Sequence, residues 1–269
     1  MLGETRNFVS REIQGDADTP ISLYLKVNGK KKVLFESNAK HEESGRYSFI
    51  ALNPIKEILG KEDGFSLVDQ DGHTSHHPGS VIEELKRVIP IHPEKYPFPF
   101  FGGAIGYFGY EYAFFHEDIG EQLVDPLQMP DIHVLFYDTF IVYDHLRLTI
   151  TIATIDLFQE GRQIEAMTSQ VEEMIKQLQK AEVFQVSNSS ALYFQPQLQK
   201  NEFIQMIETV KEHIQKGDIF QGVLSQRFSS PFNGDPFSLY RQLRAANPSP
   251  YMFYMDLEDY VILGTSQRA

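Results

Sequence analysis

Apolar and polar residues change their spacing several times along this chain, and each change predicts an element. Between residues 137 and 155 two β-rich runs, YDTFIVY and LRLTITIATI, flank Asp144-His145; in the second, Leu146, Leu148, Ile150 and Ile152 alternate with Arg147, Thr149 and Thr151. A period of two puts successive side chains on opposite faces of a strand, so the pair reads as an antiparallel hairpin with one wet face. From 160 to 181 the period lengthens: Ile164, Met167, Val171, Met174, Ile175 and Leu178 recur at helical spacing, with Glu, Gln and Lys opposite. That stripe predicts an amphipathic helix lying on a core. Phe203, Met206, Ile207, Val210 and Ile214 form a second stripe, with Gly217 where a helix-ending glycine is expected. The chain then reads as a strand, IFQGVLSQRF, over 219–228.

Shorter signals fill in the rest. Val33-Leu34-Phe35 and Tyr47–Ala51 are strand-like, and Pro78-Gly79-Ser80 leads into VIEELKRVI, with Ser80 and Glu83 at capping-box spacing. Asp235 followed by Pro236 predicts a helix start that runs to Asn247-Pro248. YMFYMD and YVILG, separated by Leu257-Glu258-Asp259, predict another hairpin. Residues 183–199 hold a Ser/Asn cluster and a proline without a clear period, and read as a linker between regions 1–182 and 200–269. There is no internal repeat and no regular βαβ alternation. The predicted class is α+β, largely antiparallel β-sheets with flanking helices.

Composition narrows the functions. With 269 residues and 42% hydrophobic content the chain can bury a large core. Lys+Arg 24 against Asp+Glu 37 leaves a net charge of −13 without a basic run, which argues against nucleic acid and anionic membranes as partners. The absence of cysteine excludes disulfides, thiolate metal sites and cysteine nucleophiles. No apolar stretch approaches the ~20 residues of a membrane span, and the charged start MLGETRNFVSREIQGD is unlike a signal peptide, so a soluble cytoplasmic protein is expected. No Walker loop, nucleophile elbow, His-Glu-x-x-His or complete dinucleotide fingerprint occurs. The glycines of FFGGAIGYFGYE, Phe100 to Glu111, stand among aromatic rings and read as packing and bending positions rather than a phosphate cradle. His133 and His145 lack ligand spacing and read as structural.

Five segments, in one order, carry a resemblance: VLFES at 33–37, FFGGAIGYFGYE at 100–111, MPDIHVLFYDTFIVYDH at 129–145, KEHIQKGDIFQGVLSQRF at 211–228 and NPSPYMFYMDL at 247–257. Together they resemble the chorismate-utilising enzymes of the anthranilate synthase component I type. The resemblance implies that Glu36, Ser37, Pro250, Tyr251 and Met252 line a pocket for L-tryptophan, the feedback inhibitor. Ser37 offers a hydroxyl, Glu36 a carboxylate for the ammonium group, and Pro250–Met252 apolar walls with backbone polar groups. By spacing alone these residues would merely end one strand and start another. The resemblance also puts Gln221 at an active-site position where water-adding members carry a lysine base, which favours an ammonia user; Gly222 departs from the β-branched residue usual there.

For the whole enzyme the resemblance implies conversion of chorismate and ammonia to anthranilate and pyruvate in tryptophan biosynthesis. Ammonia would come from a glutamine amidotransferase subunit (component II) in a heterotetramer, with Mg2+ as cofactor. It also implies that the chain is a fragment, because the segments holding magnesium and chorismate would follow it and VILGTSQRA breaks the pattern at Gln267–Ala269. No metal ligand is assigned here, and the chain alone is expected to be inactive. The alternatives are aminodeoxychorismate synthase component I, or a non-catalytic tryptophan-binding module.

Overall fold

The structure is a computed structural model that describes residues 8–37, 45–61, 64–89, 100, 102–115, 117–120, 125–180 and 192–266. The expected linker therefore lies partly, and Gln267–Ala269 wholly, outside the described residues. In chain order the elements are β1 (Phe8–Gln14), α1 (Pro20–Lys26), β2 (Val33–Glu36), β3 (Tyr47–Ala51), β4 (Lys56–Lys61), β5 (Gly64–Asp69), β6 (Thr74–Pro78) and α2 (Val81–Val88). They continue as β7 (Gly103–Phe108), β8 (Ile132–Tyr137), β9 (Thr139–Asp144), β10 (Thr149–Ile155), α3 (Ile164–Leu178), β11 (Gln195–Pro196) and α4 (Lys200–Lys216). The last are β12 (Phe228–Ser229), α5 (Pro236–Ala246), β13 (Tyr251–Asp256) and β14 (Val261–Ser266). Among the described residues no helix is long and apolar enough to cross a membrane.

The chain divides into two compact units, Met1–Phe184 with Gln242–Ala269, and Gln185–Arg241. The first unit holds a seven-stranded sheet in the order β1-β10-β9-β3-β2-β13-β14 and a five-stranded sheet in the order β6-β5-β4-β8-β7, every pairing antiparallel. One face of the large sheet gives Val33, Ala51, Phe140, Val142, Ile155 and Met255 to a buried cluster shared with Ile58, Ile132, Val134 and Phe136 of the smaller sheet. The opposite face is covered by α1 and α3, with Tyr24 of α1 edge-on to Tyr254 at 5.6 Å.

Local signals account for most of these elements. Helix α3 buries Met167, Val171, Met174 and Leu178, the predicted stripe. Helix α5 starts as its sequence implies, with the Phe237 and Ser238 amides donating to Asp235 at 3.2 and 2.9 Å. The amide of Gly217 closes α4 in the left-handed conformation, φ 81°.

Several expectations need correction. The β9–β10 hairpin has no wet face: Thr151 and Thr154 are buried, because helices cover one side and the second sheet the other. Leu146 and Leu148 fall in its turn, where the Asp144 carboxylate takes the Leu146 and Arg147 amides. Ser80 makes no side-chain cap on α2, and Glu83 pairs with Lys86 instead. Capping boxes form instead at Thr19 with Ser22, opening α1, and at Gln199 with Glu202, opening α4.

The second unit holds α4, the first residues of α5 and the two-residue ladder of β11 and β12. The strand expected over 219–228 is limited to its end at Phe228–Ser229, because a strand needs a ladder partner and, among the described residues, only Gln195–Pro196 provides one. Phe220 is fully exposed there.

Candidate effector site

Antiparallel pairing of β2 with β13 brings the two predicted segments together, with Met252 opposite Glu36 and Phe253 opposite Phe35. Phe35 and Phe49 face the shared core, so the next residues, Glu36 and Ser48, point to the helix-covered face. The start of β13 is fixed by Ser249, whose buried hydroxyl lies 2.6 Å from the Ser266 carbonyl and takes the Tyr251 amide at 3.1 Å. Asn247 Nδ2 donates to Thr265 at 3.0 Å, tying the preceding loop to β14. Met252 is buried, Pro250 is half-buried and Tyr251 is 49% exposed.

Glu36 is all but sealed, with its side chain 2% exposed, and Arg244 Nε lies 2.8 Å from its Oε2. Arg244 comes from the last turn of α5, where a cation also suits the helix dipole. Ser37 Oγ is buried and has no hydrogen-bond partner among the described residues. Ser48 Oγ and His145 Nε2 are hydrogen-bonded at 2.8 Å. Burial, then the positive charge of Arg244, push the His145 pKa below its ordinary value, so the ring stays neutral near pH 7. Next to it Arg46 holds Asp144 through contacts of 2.7 and 3.1 Å. Burial would raise that carboxyl, but these bonds and two backbone amides outweigh it and lower its pKa.

The site thus gathers a closed carboxylate with a more exposed cation beside it, an unpartnered hydroxyl, a neutral histidine and the apolar Met252 and Pro250. Arg244 and the Ser48–His145 pair escaped the sequence reading. The available signal was a cation three residues before Asn247-Pro248, too common at helix ends to single out. His133 is structural as expected, bonded to Tyr260 Oη at 2.7 Å and Glu57 at 3.1 Å. Gln221 lies in the second unit, exposed and outside regular structure. A polar cleft of about 870 Å³ lined by Lys31, Glu57, Asp138, Arg162 and Glu258 contains none of the predicted residues. Its Lys31 and Arg162 already pair with Glu57 and Asp138.

Residues 30–267 match the family model described as chorismate binding enzyme, and the chain belongs to that family. Within it, the chain is 33% identical over 259 residues to "Anthranilate synthase component 1" of Lactococcus lactis subsp. lactis (strain IL1403), covering 95% of this chain and 56% of that protein. It is 32% identical to the protein of the same name from Aquifex aeolicus (strain VF5), over 98% of this chain and 56% of the relative. The crystal structure of anthranilate synthase component I from Streptococcus pneumoniae TIGR4 superposes with a TM-score of 0.74 at 32% identity, covering 94% of this chain and 56% of that one. The chain therefore spans about half the length of the relatives it matches.

Proposed function

We propose that this chain forms the amino-terminal, tryptophan-sensing part of a cytoplasmic anthranilate synthase component I. The supporting observation is the cross-strand pairing of Glu36 with Met252, which brings two segments distant in sequence side by side. In the proposed reaction chorismate and ammonia give anthranilate, pyruvate and water. Ammonia adds to the ring with loss of hydroxyl, and elimination of pyruvate leaves the aromatic product. A glutamine amidotransferase, component II, supplies the ammonia within a heterotetramer. Gln221 stands where a base would be needed for water, and ammonia, already nucleophilic when neutral, needs none. L-Tryptophan bound at Glu36, Ser37 and Pro250–Met252 inhibits by favouring one conformation over another.

Magnesium is part of the implied chemistry, but the described residues do not fit it. Asp69, Asp71 and His73, the one candidate cluster among them, are exposed on the β5–β6 turn, and Asp69 is engaged by the Asp71 and His73 amides. No step is assigned to the metal here. The chain alone is proposed to turn over no chorismate.

Anthranilate fluorescence and pyruvate release, followed with chorismate, ammonium and magnesium, test this. A protein extended to its relatives' full span should make the two products in equal amounts, and the 269-residue chain neither. An amino product without pyruvate would instead mean an aminodeoxychorismate synthase, and turnover by the short chain would contradict its proposed inactivity.

A further inference from the structure

Lysine and arginine stop at Lys95 and resume at Arg147: neither occurs in residues 96–146, although the chain carries 24 of them. Eight acids fall in the same stretch. Asp138 and Asp144 are matched by Arg162 and Arg46 from elsewhere in the fold. The other six, from Glu111 to Asp131, lie in the connection between β7 and β8. Of these, Glu117, Asp118 and Asp125 are exposed and form no salt bridge among the described residues. The Leu127 and Met129 amides donate to Asp125 at 2.9 and 2.8 Å and, helped by the charge of Lys61 on β4, hold its carboxyl below its ordinary pKa. The same connection exposes apolar surface: Phe108 is 54% exposed, Tyr110 81%, Ile119 52% and Leu127 65%. Its two ends are tied together, with the Gly109 amide donating to the Asp131 carbonyl at 2.6 Å and the Tyr107 hydroxyl to the Pro130 carbonyl at 3.1 Å. Large apolar groups gathered among charges, rather than scattered singly, mark an interaction surface.

We infer that the connection from Phe108 to Asp131 is a docking face for a cationic partner protein, one that presents lysine or arginine around apolar side chains. Charge selects the occupant. Nucleic acid and anionic membranes are repelled by a surface whose own residues include no lysine or arginine. A second copy of the chain is unsuited as well, because a two-fold contact would set these acids against themselves. A basic surface is drawn in by the acids at long range and then buries Tyr110 and Phe108 as aromatic anchors. The inference stands apart from the effector pocket, whose strands belong to the larger sheet, whereas β7 and β8 belong to the smaller one.

Fluorescence anisotropy on the whole chain, with a labelled amphipathic lysine–leucine peptide as the probe, tests the inference. The wild type should bind the peptide, more weakly as salt rises, and should not bind the same peptide with glutamate in place of lysine. Because the chain carries a net charge of −13, the control is an equal charge reversal elsewhere on its surface. Glu117→Lys with Asp118→Lys should weaken binding roughly tenfold or more, whereas Glu172→Lys with Glu173→Lys, exposed on α3, should weaken it by about twofold or less. Tyr110→Ala, which leaves every charge in place, should weaken binding without changing its salt dependence. Equal weakening by the two reversals would mean attraction by net charge alone and would overturn the inference. So would full affinity in Tyr110→Ala, or no binding by the wild type.

Discussion

A methyl group at Gly106 has nowhere to go. It would stand 2.0 Å from the His133 carbonyl oxygen and 2.7 Å from Val134 Cα, both backbone atoms of the neighbouring strand β8. Opening the shorter contact to an ordinary 3.4 Å means parting the strands by about 1.4 Å, more than a ladder bond of about 2.9 Å tolerates. Two ladder bonds lost at about 1 kcal/mol each, with their polar groups poorly satisfied, cost about 2–4 kcal/mol. Alanine recovers about 0.5–1 kcal/mol through its lower backbone entropy. Gly106→Ala should therefore destabilise the first unit by about 1–3.5 kcal/mol, a fall of about 2–14 °C in its melting temperature. Thermal unfolding followed by circular dichroism measures this. Ligand affinity of the folded protein should stay unchanged, because Gly106 lies in the smaller sheet and the Glu36 site in the larger. A melting temperature within about 1 °C of wild type would refute the close-approach explanation of this glycine.

Two further outcomes follow from single contacts. Asp235→Ala removes the acceptor for two α5 amides and should cost about 1 kcal/mol, read as a lower urea midpoint; an unchanged midpoint would contradict the cap. Burial would raise the pKa of Glu57, but hydrogen bonds from His133 and Lys31 outweigh it and hold the carboxyl below its ordinary value. Its ionised form therefore favours the fold, with the contribution complete above the ordinary glutamate value of about 4.3 and lost as pH falls through the lower folded value. The stability gap between wild type and Glu57→Gln should close on acidification, and a gap constant down through that window would contradict the assignment.

How much was legible in the sequence depended on the range of the interaction. Helix α3, the β13–β14 hairpin, the Asp235 cap and the Gly217 terminus are set by neighbours a few residues apart, and they formed as their patterns imply. The wet face expected of β9–β10 failed because a strand's own alternation does not say what will cover its polar side; Thr151 stands opposite the core residue Val142, on the face turned to the smaller sheet. The strand over 219–228 failed for a related reason: an apolar run supplies β propensity but not a partner edge. At the proposed site, motif resemblance pointed to Glu36 and Met252, which the register of two strands sets opposite each other. The cation on Glu36 arrives from another helix, and no local pattern marks Arg244. Helix α1, only seven residues long, was hidden because its Thr19–Ser22 box lacks the usual acidic third position.

The most direct test of the proposed effector pocket is a calorimetric titration of the chain with L-tryptophan beside the variant Ser37→Phe. Ser37 Oγ is buried without a partner among the described residues at the end of β2, so a phenyl group there would crowd the surroundings of Glu36. The proposed function predicts saturable binding to the wild-type chain and its loss in a variant that still unfolds cooperatively. Wild-type affinity in the variant, or no binding by well-folded wild type, would contradict the placement of the pocket at Glu36, Ser37 and Pro250–Met252.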